Sequence, residues 1–282
     1  MRHVRACNSA TLPGDRVPFR LAGTQVGWVR PDLASALAEF PTIGHGSAGV
    51  DLADPPALPN IARVLAERGM FRWRREAFDV RATSDGPALS RIDRGAIPSF
   101  GVESTGVHVN GLVRAAGGLH MWIARRAANK ALDPGKLDNV VAGGVASGLG
   151  LMETVIKESA EEASIPEVLA ANARQVGEIA YTMERPEGLR RDHLYCYDLD
   201  LPEGFIPQAA DGEVESFELW PVARVFETVR DTDVFKFNVN LVLIDLFIRL
   251  GLAAGNEAAA LRAGLSGQRL DLSATYTSRP NL

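Results

Sequence analysis

Three glutamates, Glu158, Glu161 and Glu162, stand in the spacing E-x-x-E-E within the run AGGVASGLGLMETVIKESAEEASI at 142–165. In a helix of about 3.6 residues per turn, Met152, Ile156, Ala160 and Ala163 share one face and the glutamates lie on the other. Such a helix packs its apolar face on a sheet and projects the carboxylates into one space. Like charges so placed repel by roughly a few tenths of a kcal/mol per i,i+4 pair. A divalent cation reverses that sign. Hard oxygen ligands suit Mg2+ or Mn2+, and Mg2+ takes one or two carboxylates, keeps waters and accepts phosphate oxygens. Gly143, at the bend before the helix, lets the chain pass close to such an ion and offers it a carbonyl. A solvated acidic face has the same spacing, so the surroundings decide.

Those surroundings resemble the Nudix box, G-x5-E-x7-R-E-U-x-E-E-x-G-U, in which U is a bulky apolar residue. Gly143 takes the first glycine, Lys157 the arginine, Glu158 the next glutamate, Glu161 and Glu162 the pair, and Ile165 the last apolar place. Leu149 replaces the first glutamate, Ser159 an apolar residue and Ser164 the last glycine. Lys157 keeps the positive charge without the guanidinium fork. The resemblance implies metal ligation by Glu158, Glu161, Glu162 and the Gly143 carbonyl, with Glu158 and Glu162 catalytic. It makes Lys157 the cation that orients the carboxylates or meets the substrate.

The runs GVHVNGLV, MWIARR and PGKLDNVVAGG narrow the match. They are similar to a Nudix subfamily with an extra N-terminal α/β domain, which includes the Nudix half joined to thiamine pyrophosphokinase in fungi. That subfamily commonly lacks the first box glutamate. In it, segments like IDRGAIPSFG and GVHVNG mark the join between domains. The resemblance implies a Mg2+-dependent diphosphohydrolase acting on thiamine diphosphate or an oxidised analogue. It implies the α/β/α sandwich of the Nudix fold, an α/β (α+β) class, preceded by a small mixed α/β domain. The expected division is 1–103 for that domain and 104–282 for the Nudix domain with its C-terminal helices.

Around the box, Arg125, Arg126, Lys130 and Lys136 are placed to neutralise diphosphate oxygens, arginine in bidentate fashion. Each also reads as an ordinary solvated charge. Trp122 alternates along a strand and suits either stacking on a pyrimidine ring or core packing. Asp138 and Asn139 fit a turn better than chemistry. His108 and His193 have no ligand spacing, and Tyr195 and Arg191 share a strand with the latter. A later loop glutamate has four candidates, Glu184, Glu187, Glu213 and Glu215.

The elements that carry these residues follow from pattern. A strand is expected within 17–29 and helices at 31–40 and 56–68, the second striped by Leu58, Ile61 and Leu65. Short strands are expected at 50–52 and 77–82, a hairpin across 106–125, and a strand at 139–141 ending in a glycine turn. Strands at 175–183, 190–199 and 215–219 precede helices from 221, 238 and 256. Residues 1–14 read as a frayed lead-in and the last dozen as mobile.

A net charge of -5 and the lack of a dense basic run argue against a nucleic-acid partner. The apolar run 239–250 is interrupted by Asn240, Asp245 and Arg249 and reads as a core helix, so no membrane span is expected. Cys7 and Cys196 fit no metal spacing, which points to a reducing, cytoplasmic setting. The expected partner is a small diphosphate, and association as a homodimer is compatible with the chain. Two rival readings exist: a non-catalytic Nudix module that binds a nucleotide or diphosphate cofactor, and an isopentenyl-diphosphate isomerase. The latter needs a cysteine beside the PGKLDN loop.

Overall fold

The computed structural model describes residues 1–46, 49–210 and 212–266. The chain opens with helix α1 (Arg2–Cys7), then strands β1 (Val17–Leu21) and β2 (Thr24–Val29), helix α2 (Pro31–Leu37), and strands β3 (Ile43–Gly46) and β4 (Gly49–Leu52). The strands form a sheet in the order β2-β1-β4-β3, with β4 parallel to β1. Helix α3 (Leu58–Glu67) buries Leu58, Ile61, Ala62 and Leu65 in the core it shares with that sheet. A separate ribbon of β5 (Ala77–Val80) and β6 (Ser90–Asp93) follows, then the short helix α4 (Ile97–Phe100). Phe19, Leu52, Phe78, Ile92 and Phe100 join one core.

The second sheet is built from β7 (Glu103–Ala115), β8 (Gly118–Arg126), β9 (Leu137–Asp138), β10 (Val141–Gly144), β11 (Arg174–Arg185), β12 (Gly188–Asp200) and β13 (Val214–Pro221). Its order is β11-β12-β7-β8-β13, with β10 paired to β7 and β9 to β8. Helix α5 (Leu151–Ala163) and the short α6 (Glu167–Ala170) cover one face, where Val107, Val109, Val140, Val141, Val155 and Ile165 meet. Helices α7 (Val222–Asp231), α8 (Val239–Arg249) and α9 (Gly255–Leu265) cover the other, over Met121, Ile123, Leu194 and Cys196. Alternation of side chains along each strand feeds the two cores in turn, which makes the α/β/α sandwich.

Three expectations change. The lead-in is ordered: Val4 and Cys7 of α1 are buried in the core beneath α8 and α9, so residues at the start of the chain complete its C-terminal layer. The strand expected at 139–141 splits, and Gly143 and Gly144 lie inside β10, paired with Val107 and Gly106, rather than in a turn. The stretch 17–29 is a hairpin and not one strand. The mobile tail expected beyond 270 lies outside the described residues. Among the described residues no helix is long and apolar enough to cross a membrane.

Candidate active site

Helix α5 does not turn the expected face to the sheet. Its buried residues are Thr154, Val155, Ser159, Glu162 and Ala163, whereas Ala160 is exposed and Met152 and Ile156 are half-buried. Glu162 therefore lies within the packed stripe, and Glu158 sits at its edge about 40° away, since each residue advances the helix by about 100°. Glu161 is about 100° from Glu162 on the same count. The side chains of Glu158 and Glu161 are 18% and 51% exposed. The helix thus buries one carboxylate, half-buries the second and leaves the third outside.

Strand β10 receives the two inner glutamates. Glu162 Oε2 accepts the Ala142 N–H at 2.9 Å. The Glu158 side chain crosses Gly143, where an added Cβ would lie 2.5 Å from its Cγ and 2.6 Å from its Cδ. Only glycine leaves that space. Lys157 donates to Glu158 at 2.9 Å and to Glu161 at 2.6 Å, so its ammonium ties the edge carboxylate to the outer one. Ser164, in the last glycine's place of the box, takes the left-handed conformation at φ 51° and ends the helix.

Burial pushes Glu162 up to about 8, and Asp138, Glu158 and Glu213 add repulsion that the Ala142 hydrogen bond only partly offsets. Glu158 is raised too, by burial first and by Glu161 and Glu213, against the pull of Lys157. Burial opposes the charge on Lys157, yet its two glutamate hydrogen bonds prevail and raise it. Glu213 is held down despite burial, because Lys130 bonds it and Arg94 and Arg126 lie near. The arrangement is a set of carboxylates that repel one another in a partly dry setting. Such a set takes up a cation or a proton.

Among the described residues no group of three or more His, Cys, Asp or Glu is closed around a metal position. The donor chemistry nevertheless fits a hard divalent ion. Mg2+ needs only one or two carboxylates, with waters and substrate oxygens for the rest. Glu158 and Glu162 are placed to supply those carboxylates, whereas Glu161 lies outside, tied to Glu158 by Lys157 and opposing its ionisation.

The remaining candidates divide. Arg125 donates to the Gly135 carbonyl at 3.1 Å, and Lys136 to the carbonyl of Asp233. Both shape the loop, and the structure does not bring them to the glutamates. Arg126 binds Asp138 at 2.7 Å and the carbonyls of Leu132 and Asp133. Trp122 is packed with Val113, Val140 and Leu199 beside α5, with no acceptor for its indole N–H among the described residues. His108 donates through Nδ1 to Asn139, which donates to Asn110, which donates to Asp198. Arg249 anchors that chain at 2.5 Å from Asp198.

Sequence reasoning missed two cations. Lys236 is buried 3.5 Å from Asp138, and burial lowers it. Arg94 acts on Glu213 from the N-terminal unit. Arg94 lies in IDRGAIPSFG, the segment that the resemblance marks as the join between domains. A cavity of about 180 Å3 lies elsewhere, lined by Arg16, Arg30, Phe71, Pro98 and Glu187. Its Arg16 is already held by Glu184 at 2.6 and 2.8 Å. The isomerase reading fails on its cysteines. Cys7 and Cys196 are fully buried and unreactive, the former pushed up to about 12 by burial.

Comparison with known proteins matches residues 105–238 to the NUDIX domain and residues 1–104 to a domain of unknown function, DUF4743. Nudix hydrolase 24, chloroplastic, from Arabidopsis thaliana is 38% identical over 85% of this chain and 69% of its own length. Nudix hydrolase 20, chloroplastic, from the same plant is 34% identical over 88% and 72%. A crystal structure of DR0079 from Deinococcus radiodurans overlays with a TM-score of 0.46 at 19% identity, covering 60% of this chain and 97% of that one. The plant relatives overturn the cytoplasmic expectation, since both are chloroplastic. Two reduced cysteines and a mild acidic charge do not separate the cytoplasm from an organelle interior. By these sequence relatives, together with the E-x-x-E-E helix packed on its glycine strand, the chain belongs to the Nudix hydrolase family, enzymes that cleave diphosphate linkages with a divalent metal.

Proposed function

We propose that the chain hydrolyses thiamine diphosphate or an oxidised analogue of it, with Mg2+ or Mn2+ held by Glu158 and Glu162. The substrate rests on the resemblance of GVHVNGLV, MWIARR and PGKLDNVVAGG to the subfamily joined to thiamine pyrophosphokinase. The observation that carries the chemistry is the pair of inward carboxylates. Both are raised by burial and by neighbouring carboxylates, and both are set against β10. When bound, the cation offsets the negative charge of the diphosphate and makes water more acidic.

The protein's own groups do the rest. Glu162 is locked by the Ala142 N–H and keeps its carboxylate in place. Glu158, at the edge of the packed face, takes the proton of the attacking water. The water oxygen bonds to phosphorus, the P–O–P bridge breaks and its oxygen leaves with the other phosphate. Thiamine diphosphate so cleaved gives thiamine monophosphate and phosphate. Residues 1–103 and 104–282 act together in this reading, and the partner is a small diphosphate rather than a nucleic acid.

The test is a panel of thiamine diphosphate, oxythiamine diphosphate, ADP-ribose and nucleoside diphosphates with Mg2+ or Mn2+, products separated by chromatography. Fastest turnover of a thiamine-type diphosphate supports the substrate. Turnover confined to ADP-ribose or nucleotides sinks the thiamine assignment and leaves the diphosphohydrolase standing.

A further inference from the structure

The N-terminal unit meets the second sheet beside the glutamates. The Ala77 carbonyl in β5 accepts the Ser147 N–H at 2.8 Å, and Ser147 Oγ donates to Asp79 at 2.6 Å. Between these bonds the Phe78 ring lies on Gly144, where an added Cβ would fall 2.5 Å from its Cζ. Glycine alone lets ring and strand approach so closely. The Arg94 guanidinium sits over the same ring, 5.8 Å from its centre. Glu158 covers Gly143 and Phe78 covers Gly144 from opposite faces of β10, and Glu213, which Arg94 attracts and which opposes the ionisation of Glu158 and Glu162, links the two sides.

The turn that carries Arg94 is fixed. Buried Asp93 accepts the N–H groups of Arg74 at 2.8 Å, Glu76 at 3.2 Å and Gly95 at 2.8 Å. The Arg94 N–H itself donates to the Glu76 carbonyl at 2.7 Å. Its side chain stays 54% exposed and pairs with Glu76 at 2.9 Å. An exposed pair of this kind contributes little, so a phosphate with more charge exchanges for the carboxylate readily.

We propose that Arg94 is a substrate-binding residue lent by the N-terminal unit, contacting the diphosphate of a substrate engaged at Glu158 and Glu162; this rests on the reading of those glutamates given above. The site presents several carboxylates to an anionic substrate, and a guanidinium at its border, carried on a fixed turn, lowers the cost of that approach. Arg125 and Lys136 are engaged with loop carbonyls and do not supply it.

The experiment is calorimetric titration of inorganic pyrophosphate with Mn2+ into the full chain, wild type against R94Q, R94K, R63Q and E158Q. R94Q should weaken binding about ten-fold, as loss of a charge-assisted contact does, with R94K intermediate. R63Q removes a still more exposed arginine from α3 and should leave binding unchanged. Under turnover with the best substrate of the panel, R94Q should raise KM and change kcat less than about two-fold. Wild-type affinity in R94Q, an equal loss in R63Q, or no pyrophosphate binding by the wild type overturns the proposal. If R94Q fails to fold, R94K decides, since it keeps the charge and loses the fork: affinity equal to wild type then overturns it. E158Q binding as wild type while R94Q is weakened would instead overturn the glutamate reading and leave Arg94 as the anion contact.

Discussion

Glu162 accepts the Ala142 backbone proton at 2.9 Å from within the face that α5 packs on the sheet. A carboxylate held this way cannot swing out to water, and its neighbours Asp138, Glu158 and Glu213 oppose its ionisation. A buried carboxylate so opposed costs stability when it is charged.

Glu162→Gln tests that cost. Glutamine keeps the acceptor for Ala142 and removes the charge. Because the folded carboxyl titrates at about 8 against 4.5 when free, stability is full below 4.5 and falls as pH rises toward 8. The variant should therefore gain at least about 1 kcal/mol over wild type at pH 8.5 without metal, and little at pH 4.5. Urea midpoints at the two pH values measure it. A variant less stable than wild type at both would show the buried charge to be compensated.

Gly143→Ala addresses the close contact with Glu158. The new methyl meets Glu158 Cγ at 2.5 Å, and that half-buried side chain yields more easily than backbone. Expected is a fall in kcat of about ten-fold or more, since a displacement near 1 Å can cost a hundred-fold. The thermal midpoint should drop by only a few degrees. Unchanged kcat would mean that the position of Glu158 does not matter to turnover.

The spacing E-x-x-E-E was legible, and so were the long hairpin β7–β8, the strands β11 and β12 and the apolar α8. The orientation of α5 was not. Periodicity sets polar residues opposite the packed face, which places Met152 and Ile156 against the sheet and the glutamates together on the far side. The helix instead buries Val155, Ser159 and Glu162, the kind of local conflict expected where a site is built. Glycine likewise read as punctuation at Gly143 and Gly144, whereas both stand in a strand to admit the Glu158 and Phe78 side chains. The fates of Arg125 and Lys136 depended on carbonyls of a folded loop, and Arg94 on a contact between distant segments. Neither leaves a local pattern.

His108, paired with Ala142 across β7 and β10, offers a second pH test. Burial lowers it to about 4 from 6.5, so the folded chain keeps it neutral with Nδ1 donating to Asn139. Above pH 6.5 folded and unfolded forms bind the same proton count. Below it the unfolded chain protonates first, and stability falls by roughly 2–3 kcal/mol as pH drops toward 4. His108→Asn should flatten this part of the acid limb in urea unfolding between pH 7 and 4.5. An identical slope in both proteins would assign the loss to other groups.

The most direct test is metal-dependent turnover of the best diphosphate from the panel by wild type, Glu158→Gln and Glu162→Gln, each confirmed folded. Expected is turnover by the wild type only with Mg2+ or Mn2+, reduced about a hundred-fold or more in both variants. Full turnover in either variant would contradict the assignment of that carboxylate, and full turnover in both would remove α5 from the chemistry.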